Sequence, residues 1–245
     1  MTDAGRVLAW VDGVNSAVAT LFALAENPDV IPVHCDLGDS VDADSRRFID
    51  DLEGLYRKPI VRIRSSKYAN VDEVFEKRKY MAGINGAICT SEMKVAPRLD
   101  FQLPSDRHIW GYAADKTDKT RFAKMLKAYP ELSQRSPLIE LGVTKAESHE
   151  IIAALGVRRP RVYDLGMPNG NCLGCVKSQS PRYWSHCRKH FPEVFARRAE
   201  QSRRLGVRLV QIKKHVRIFI DEIPLDYPTE IKGNFGGCGF SCVTA

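Results

Sequence analysis

The stretch Val7-Leu8-Ala9-Trp10-Val11-Asp12-Gly13-Val14-Asn15-Ser16 decides how the chain is read. Its first five residues are an apolar run too short for a helix and right for a buried strand. The run breaks at Asp12-Gly13-Val14-Asn15-Ser16, and a helical pattern follows in Ala17, Val18, Leu21, Phe22, Leu24 and Ala25, ending near Asn27-Pro28. Strand, glycine-containing loop and helix in that order aim backbone N–H groups and the positive end of a helix at whatever lies above the loop. Such a turn is a natural phosphate or sulfate site. One glycine also fits an ordinary turn between strand and helix, so agreement must come from the rest of the chain.

Working outward, Val30-Ile31-Pro32-Val33-His34-Cys35 reads as a second strand ending at Asp36-Leu37-Gly38. Residues 48–55 read as helix and Ile60-Val61-Arg62-Ile63 as a third strand. A charged helical stretch over 71–81 leads through Gly83-Ile84-Asn85-Gly86 to Cys89, which opens another helix with Lys94 and Arg98 one turn apart. A helix N-terminus lowers a thiol's pKa and favours the thiolate. His108-Ile109-Trp110-Gly111-Tyr112 is a fourth strand, with Ala114-Asp115-Lys116 and Arg121 directly after it. Strands that end in polar loops at 12–16, 36–38 and 111–116 predict an α/β fold. Its sheet is doubly wound and mostly parallel, Rossmann-like, with ligand over the strands' C-terminal edge. The nucleotide- or anion-binding candidates are therefore Asp12, Gly13, Asn15, Ser16, Asp36, Gly38, Gly111, Asp115, Lys116 and Arg121. Each alone has a plainer role, such as Asp36 capping the next element or Asp115 serving a turn.

Further on, Thr144 with Glu147 is a capping-box pattern at the start of a helix carrying Ile151, Ile152 and Leu155. Asn171-Cys172-Leu173-Gly174-Cys175-Val176-Lys177 then presents two thiolates from one turn, which suits a metal, an iron–sulfur cluster or a redox disulfide. Cys89, Cys238 and Cys242 are the cysteines that decide among these, while Cys35 and Cys187 read as non-ligands. Tyr183 and Trp184 precede a basic helix over 193–205, and 207–212 with 216–221 read as a β-hairpin around Lys213-Lys214-His215. From Gly233 the composition turns to glycine and polar residues, a flexible tail carrying Cys238 and Cys242. The chain thus divides into a nucleotide-binding α/β domain over 1–165 and a cysteine loop, basic helix, hairpin and tail over 166–245, packed on the same core.

A chain of 245 residues, 44% apolar and 27% charged, buries a sizeable core and leaves no long disordered segment. No apolar run reaches the length of a membrane span and the first residues lack a signal-peptide pattern, so a cytoplasmic location without membrane attachment is expected. Seven cysteines in such a setting point to metal or redox chemistry in place of structural disulfides. The net charge of +7 comes largely from the segment 182–217, which is read either as a polyanion-binding region for nucleic acid or as a solvated helix face.

These residues together resemble the phosphoadenosine phosphosulfate (PAPS) reductase family of the adenine nucleotide alpha hydrolase-like (PP-loop) superfamily, in the divergent form carried by phages and mobile elements. The resemblance rests on the turn at 11–16, Asp36 with Gly38, Gly111 to Asp115 followed by Arg121, the Cys172/Cys175 loop and Gly237-Cys238-Gly239-Phe240. It implies an adenine nucleotide ligand (PAPS, adenylyl sulfate or ATP) and a 4Fe–4S cluster, with zinc the alternative metal. It also implies a thioredoxin-like thiol partner. The cluster would take Cys89, Cys172 and Cys175, with its fourth iron met by Cys238 or Cys242 or left open. Against that, Cys238 also matches the family's attacking thiolate, and Cys242 is an added thiol of open role. The first Ser and Gly of the family's anion loop are replaced here, by Val11 and Asp12. The reading that follows is a thiol-dependent reductase of an adenylyl sulfate. Its alternatives are a cluster-dependent, ATP-using sulfur transferase on DNA or RNA, and an inactive nucleotide- or nucleic-acid-binding protein.

Overall fold

Val7, Ala9 and Val11 turn to one side of strand β1 (Val7–Trp10) and Leu8 and Trp10 to the other, and all five are buried. A strand apolar on both faces belongs in the middle of a sheet covered by helices on each side. The computed structural model describes residues 5–83 and 86–231 and has that arrangement. After β1 come α1 (Val14–Glu26), β2 (Ile31–Cys35), α2 (Ala43–Tyr56), β3 (Val61–Ile63) and α3 (Val71–Arg78). A small antiparallel pair follows, β4 (Ala82–Gly83) with β5 (Gly86–Ala87), and then α4 (Ile88–Thr90), which passes through a π-helical turn at Ser91–Val95 into α5 (Ala96–Phe101). The sheet resumes in β6 (Arg107–Ile109) and, after α6 (Lys116–Ala128), in β7 (Ser133–Arg135). The rest is α7 (Pro137–Glu140), α8 (Lys145–Ala154), α9 (Arg161–Asp164), α10 (Pro181–His190), α11 (Pro192–Arg204) and the hairpin of β8 (Val210–Lys213) with β9 (Val216–Ile218).

Five strands form one sheet in the order β3-β2-β1-β6-β7, all parallel, with Leu8 opposite Ile31 and Val7 opposite Arg107. The expected parallel α/β sheet is thus what the chain builds. On one face Ala17 and Val18 of α1, Phe48 and Leu52 of α2 and Ile152 of α8 close over Val7 and Ala9. On the other, Met125 and Phe122 of α6 and Phe101 of α5 close over Leu8, Trp10 and Val33. A third apolar cluster joins Val74 and Phe75 of α3 to Trp184 of α10, Phe195 of α11 and Val210 of β8. Each such large side chain contributes roughly 1.5–3 kcal/mol on burial, and these clusters hold the three helical layers in place.

Several elements escape the sequence reading, and three of them show why. Strand β7 is Ser-Gln-Arg, polar along its length, and is identified only by its pairing with β6. Helix α6 carries one deeply buried apolar residue, Met125, so its apolar period is weak. Helix α10 opens on Pro181 and hides Tyr183, Trp184 and Cys187 beneath a basic last turn. The capping box at α8 is as read: Thr144 Oγ1 accepts from Glu147 N at 3.3 Å and Glu147 Oε2 accepts from Thr144 N at 2.7 Å. Among the described residues no helix is long and apolar enough to cross a membrane.

Candidate functional site

The strand order reverses between β1 and β6, and the loops leaving the two strands diverge there to opposite faces of the sheet. That switch point is where open parallel sheets hold ligands. An open cleft of about 740 Å³ lies there, walled by Asp12 to Ser16 after β1, by Trp110 to Tyr112 after β6, and by Asp118, Arg121, Lys145, Tyr163 and Asn169 to Asn171. The two strand ends meet closely: a Cβ on Gly111 would sit 2.3 Å from Ser16 Cα, so only glycine lets β6 pass the first turn of α1.

The loop at the N-terminus of α1 is folded on its own serine. Ser16 Oγ accepts from Asp12 N at 2.8 Å and Gly13 N at 2.9 Å and donates to Gly13 O at 2.8 Å. Asp12 is ion-paired with the ammonium of Lys94, which the π-helical turn brings from the opposite side of the sheet edge. His34 Nδ1 lies 4.0 Å from Asp12 Oδ1 and donates to Val11 O at 2.8 Å. The Asn15 Oδ1 atom is buried and meets no hydrogen-bond donor among the described residues. An acceptor left bare in a cleft wall fits a donor on a bound molecule, such as an amine or hydroxyl.

The opposite wall supplies the cations. Arg121 Nη1 pairs with Asp118 Oδ1 at 2.7 Å, its guanidinium 5.4 Å above the Tyr112 ring, and Asp118 Oδ2 accepts from Ala113 N at 3.2 Å. Lys145 is different. Its Nζ donates to Asn169 Oδ1 at 2.8 Å and to the Pro168 carbonyl, and among the described residues it forms no salt bridge. Burial pulls its pKa below the ordinary lysine value, partly offset by the charges of Asp118 and Asp115. Tyr163 ties the two walls together: its hydroxyl accepts from Gly170 N at 3.2 Å and stands 3.0 Å from the position of a Cβ on Gly13. Burial pushes its pKa up to about 12, so the hydroxyl keeps its proton. Trp10 and Trp110 line the floor with nearly parallel rings, centroids 5.8 Å apart, and Trp10 Nε1 donates to Nδ1 of the buried His108 at 3.0 Å. Burial, with help from Arg98, holds His108 down to about 4, hence neutral.

Of the expected nucleotide residues, Asp12, Gly13, Asn15, Ser16, Gly111 and Arg121 line this cleft. Asp36, Gly38, Asp115 and Lys116 do not. Asp36 Oδ1 accepts from Gly38 N at 2.8 Å and its other oxygen pairs with Arg64; burial would raise its pKa, but Arg64 and Gly38 outweigh that and hold it low. Asp115 Oδ2 accepts from Lys145 N at 2.8 Å, which fixes the start of α8, and Lys116 is exposed on α6. The sequence reading missed Lys145, Asp118, Tyr163, Lys94 and Asn169. Lys145 stood only as part of a helix start, and nothing local announces that α8 begins beside the cleft.

Cys89 and Cys172, partly buried, and Cys175, buried, all border the third apolar cluster. Thiols on an apolar wall are the donor chemistry an iron–sulfur or zinc centre takes. Yet among the described residues no three His, Cys, Asp or Glu side chains gather as a metal-holding group, and Cys238 and Cys242 lie outside the described residues. The described thiols do not build a cage by themselves. Cys187, read as a non-ligand, is buried beneath the Cys172/Cys175 turn, where burial pushes its thiol up to about 12. Much of the basic segment is engaged inside the protein. Arg197 pairs with Asp72 at 2.9 Å, Arg198 with Asp72 at 2.5 Å, Arg203 with Asp221 at 2.6 Å and Arg204 with Glu76, while Arg188 donates to the carbonyls of Ile223 and Pro224.

The chain is similar in structure to the crystal structure of phosphoadenylyl-sulfate (PAPS) reductase from Candida auris, a phosphate complex. The match has a TM-score of 0.51 and 11% identity, over 68% of this chain and 81% of that one. At that identity the likeness shows a common fold. No family model and no curated protein matches the sequence.

Proposed function

We propose that the chain is an enzyme of the sulfonucleotide reductase type, with an adenylyl sulfate or its 3′-phosphorylated form in the cleft between β1 and β6. Lys145 carries this reading. Its ammonium is half-buried and among the described residues meets only neutral oxygens, which is costly to hold in place unless an anion arrives to meet it. The cleft offers that anion the Lys145 and Arg121 wall, and offers a nucleotide's amine or hydroxyl the bare Asn15 oxygen. The Asp12–Lys94 pair and the inward-turned Ser16 leave less room for polyphosphate charge at the α1 turn than an open glycine cradle gives, which favours a sulfated monophosphate over ATP. The likeness in fold to a PAPS reductase is consistent with this choice.

In the proposed reaction the Cys238 thiolate attacks the sulfonyl sulfur, a sulfur–sulfur bond forms, and the sulfur–oxygen bond to the nucleotide phosphate breaks with its electron pair leaving on that oxygen. A thioredoxin-like dithiol then attacks the Cys238 sulfur, releases sulfite and ends as a disulfide, supplying the two electrons. Cys242 is placed by this reading as a second thiol of the same tail. A 4Fe–4S cluster would be held by Cys89, Cys172 and Cys175, with its fourth iron on Cys242 or left open, because Cys238 cannot serve at once as ligand and nucleophile. Protein purified without oxygen is expected to hold iron and acid-labile sulfide, about four of each for one cubane. Zinc without sulfide would replace the cluster. Transfer of sulfur to nucleic acid has less support, because the arginines it would use are engaged within the fold.

Calorimetric titration of the folded protein with each sulfated nucleotide, with ATP as the control, tests the reading. Binding and thioredoxin-dependent sulfite release are expected, and Lys145→Met should weaken binding about tenfold or more, from the roughly 1.5–3 kcal/mol of a hydrogen bond to a charged group. Failure of both sulfated nucleotides to bind would sink it.

A further inference from the structure

Away from the cleft, α10 and the segment 229–231 border an open depression lined by His186, Lys189, His190, Thr229 and Glu230. His186 and His190 are four residues apart on α10 and so stand one turn apart on one face. Their ring centroids are 4.4 Å apart with planes tilted by 39°. His186 is 4% exposed, and its Nδ1 lies 3.2 Å from the Thr229 carbonyl oxygen. A carbonyl only accepts, so Nδ1 carries the proton and Nε2 is left as a bare lone pair. That Nε2 atom is buried and has no hydrogen-bond partner among the described residues.

We propose that His186 and His190 form a two-imidazole site for a late first-row divalent cation of the zinc class. One ring nitrogen donating to a backbone carbonyl while the other is bare is the arrangement that orients a metal-bound imidazole. Neutral imidazole selects zinc, nickel and copper over calcium and magnesium, which take oxygen. Among the described residues no third His, Cys, Asp or Glu joins the pair as a ligand group, and water can fill coordination positions that the two imidazoles leave open. The Lys189 ammonium on the rim weakens the site and the Glu230 carboxylate on the same rim offsets it. A bound ion would pin α10 against the segment 229–231, to which Thr229 already ties it.

Imidazole nitrogen NMR on the full chain during a Zn²⁺ titration tests this, because zinc held by cysteine thiolates does not move imidazole nitrogens. His186 Nε2 and a ring nitrogen of His190 are expected to shift together into the metal-bound range. In His190→Gln, a half-buried position whose loss leaves the Thr229 bond in place, the His186 shift should vanish at the same zinc concentration while the backbone spectrum stays native. Zinc that moves neither ring of the wild-type protein overturns the proposal. So does an equal His186 shift in His190→Gln.

Discussion

Lys145 and Arg198 are both cations drawn into the protein, and they are held in opposite ways. Arg198, 2% exposed, lies 4.8 Å over the Phe75 ring and is paired with Asp72, so its charge is neutralised where α11 packs on α3. Among the described residues Lys145 has only a carbonyl and an amide oxygen for its ammonium. The C-terminal layer uses its charges to join helices, whereas the cleft holds one charge that forms no salt bridge among the described residues. Unneutralised charge at a sheet's switch point marks the place kept for a ligand better than a count of basic residues does, because most of the arginines counted in 182–217 are structural.

The contrast is open to direct attack. Gly111→Ala should have the largest effect: its Cβ meets the Ser16 backbone, which no rotamer relieves, and urea denaturation should show a loss of about 3 kcal/mol. Arg198→Ala should cost about 2 kcal/mol in the same measurement, below the usual penalty for breaking a buried pair because Arg197 still partners Asp72. Lys145→Met should move the other way, leaving stability equal or higher while nucleotide binding falls.

The pH dependence of Lys145 sharpens this. Its pKa is lower folded than unfolded, so near that value the unfolded chain binds more protons and stability rises with pH. The burden of the charged form is complete below the folded pKa and is relieved as pH climbs through it toward 10.5. Stability curves of wild type and Lys145→Met should converge across that window, and curves that stay parallel would refute the burial of a charged Lys145. Tyr163→Phe should cost about 1 kcal/mol through the orphaned Gly170 N–H, seen in denaturant midpoints, with a matching loss of nucleotide affinity as the two walls loosen. Arg204→Ala, at an exposed pair with Glu76, should change stability by no more than about 0.5 kcal/mol and sulfated-nucleotide binding not at all.

Much of the fold was legible locally. The β1 run, the break at Gly13 and the helix after it form a unit whose apolar spacing reports burial, and the same holds for β2 and α2; α8 was legible through its capping box, since Leu155 is exposed and only Ile152 of its apolar residues is deeply buried. The strand β7 was not legible, because Ser133, Gln134 and Arg135 carry no apolar signal and become a strand only through hydrogen bonds to β6. Half of the site followed from strand ends: Asp12, Gly13, Asn15, Ser16 and Gly111 sit in loops that the sheet must bring to one edge. Asp36 and Gly38 sit on the same edge, but β2 lies one strand away from the reversal, and their turn is closed by Arg64.

The sequence by itself determined the parallel α/β sheet and the loop at the head of α1, since both are written in residues adjacent along the chain. Only the tertiary structure decided which charges are free to act. Whether Lys145, Lys94 or Arg204 meets a carboxylate depends on residues distant in sequence, and Coulomb attraction and desolvation act over a few ångströms of space and not along the backbone. The same reason hides His186: its bare nitrogen is defined by the Thr229 carbonyl, which only folding brings to α10.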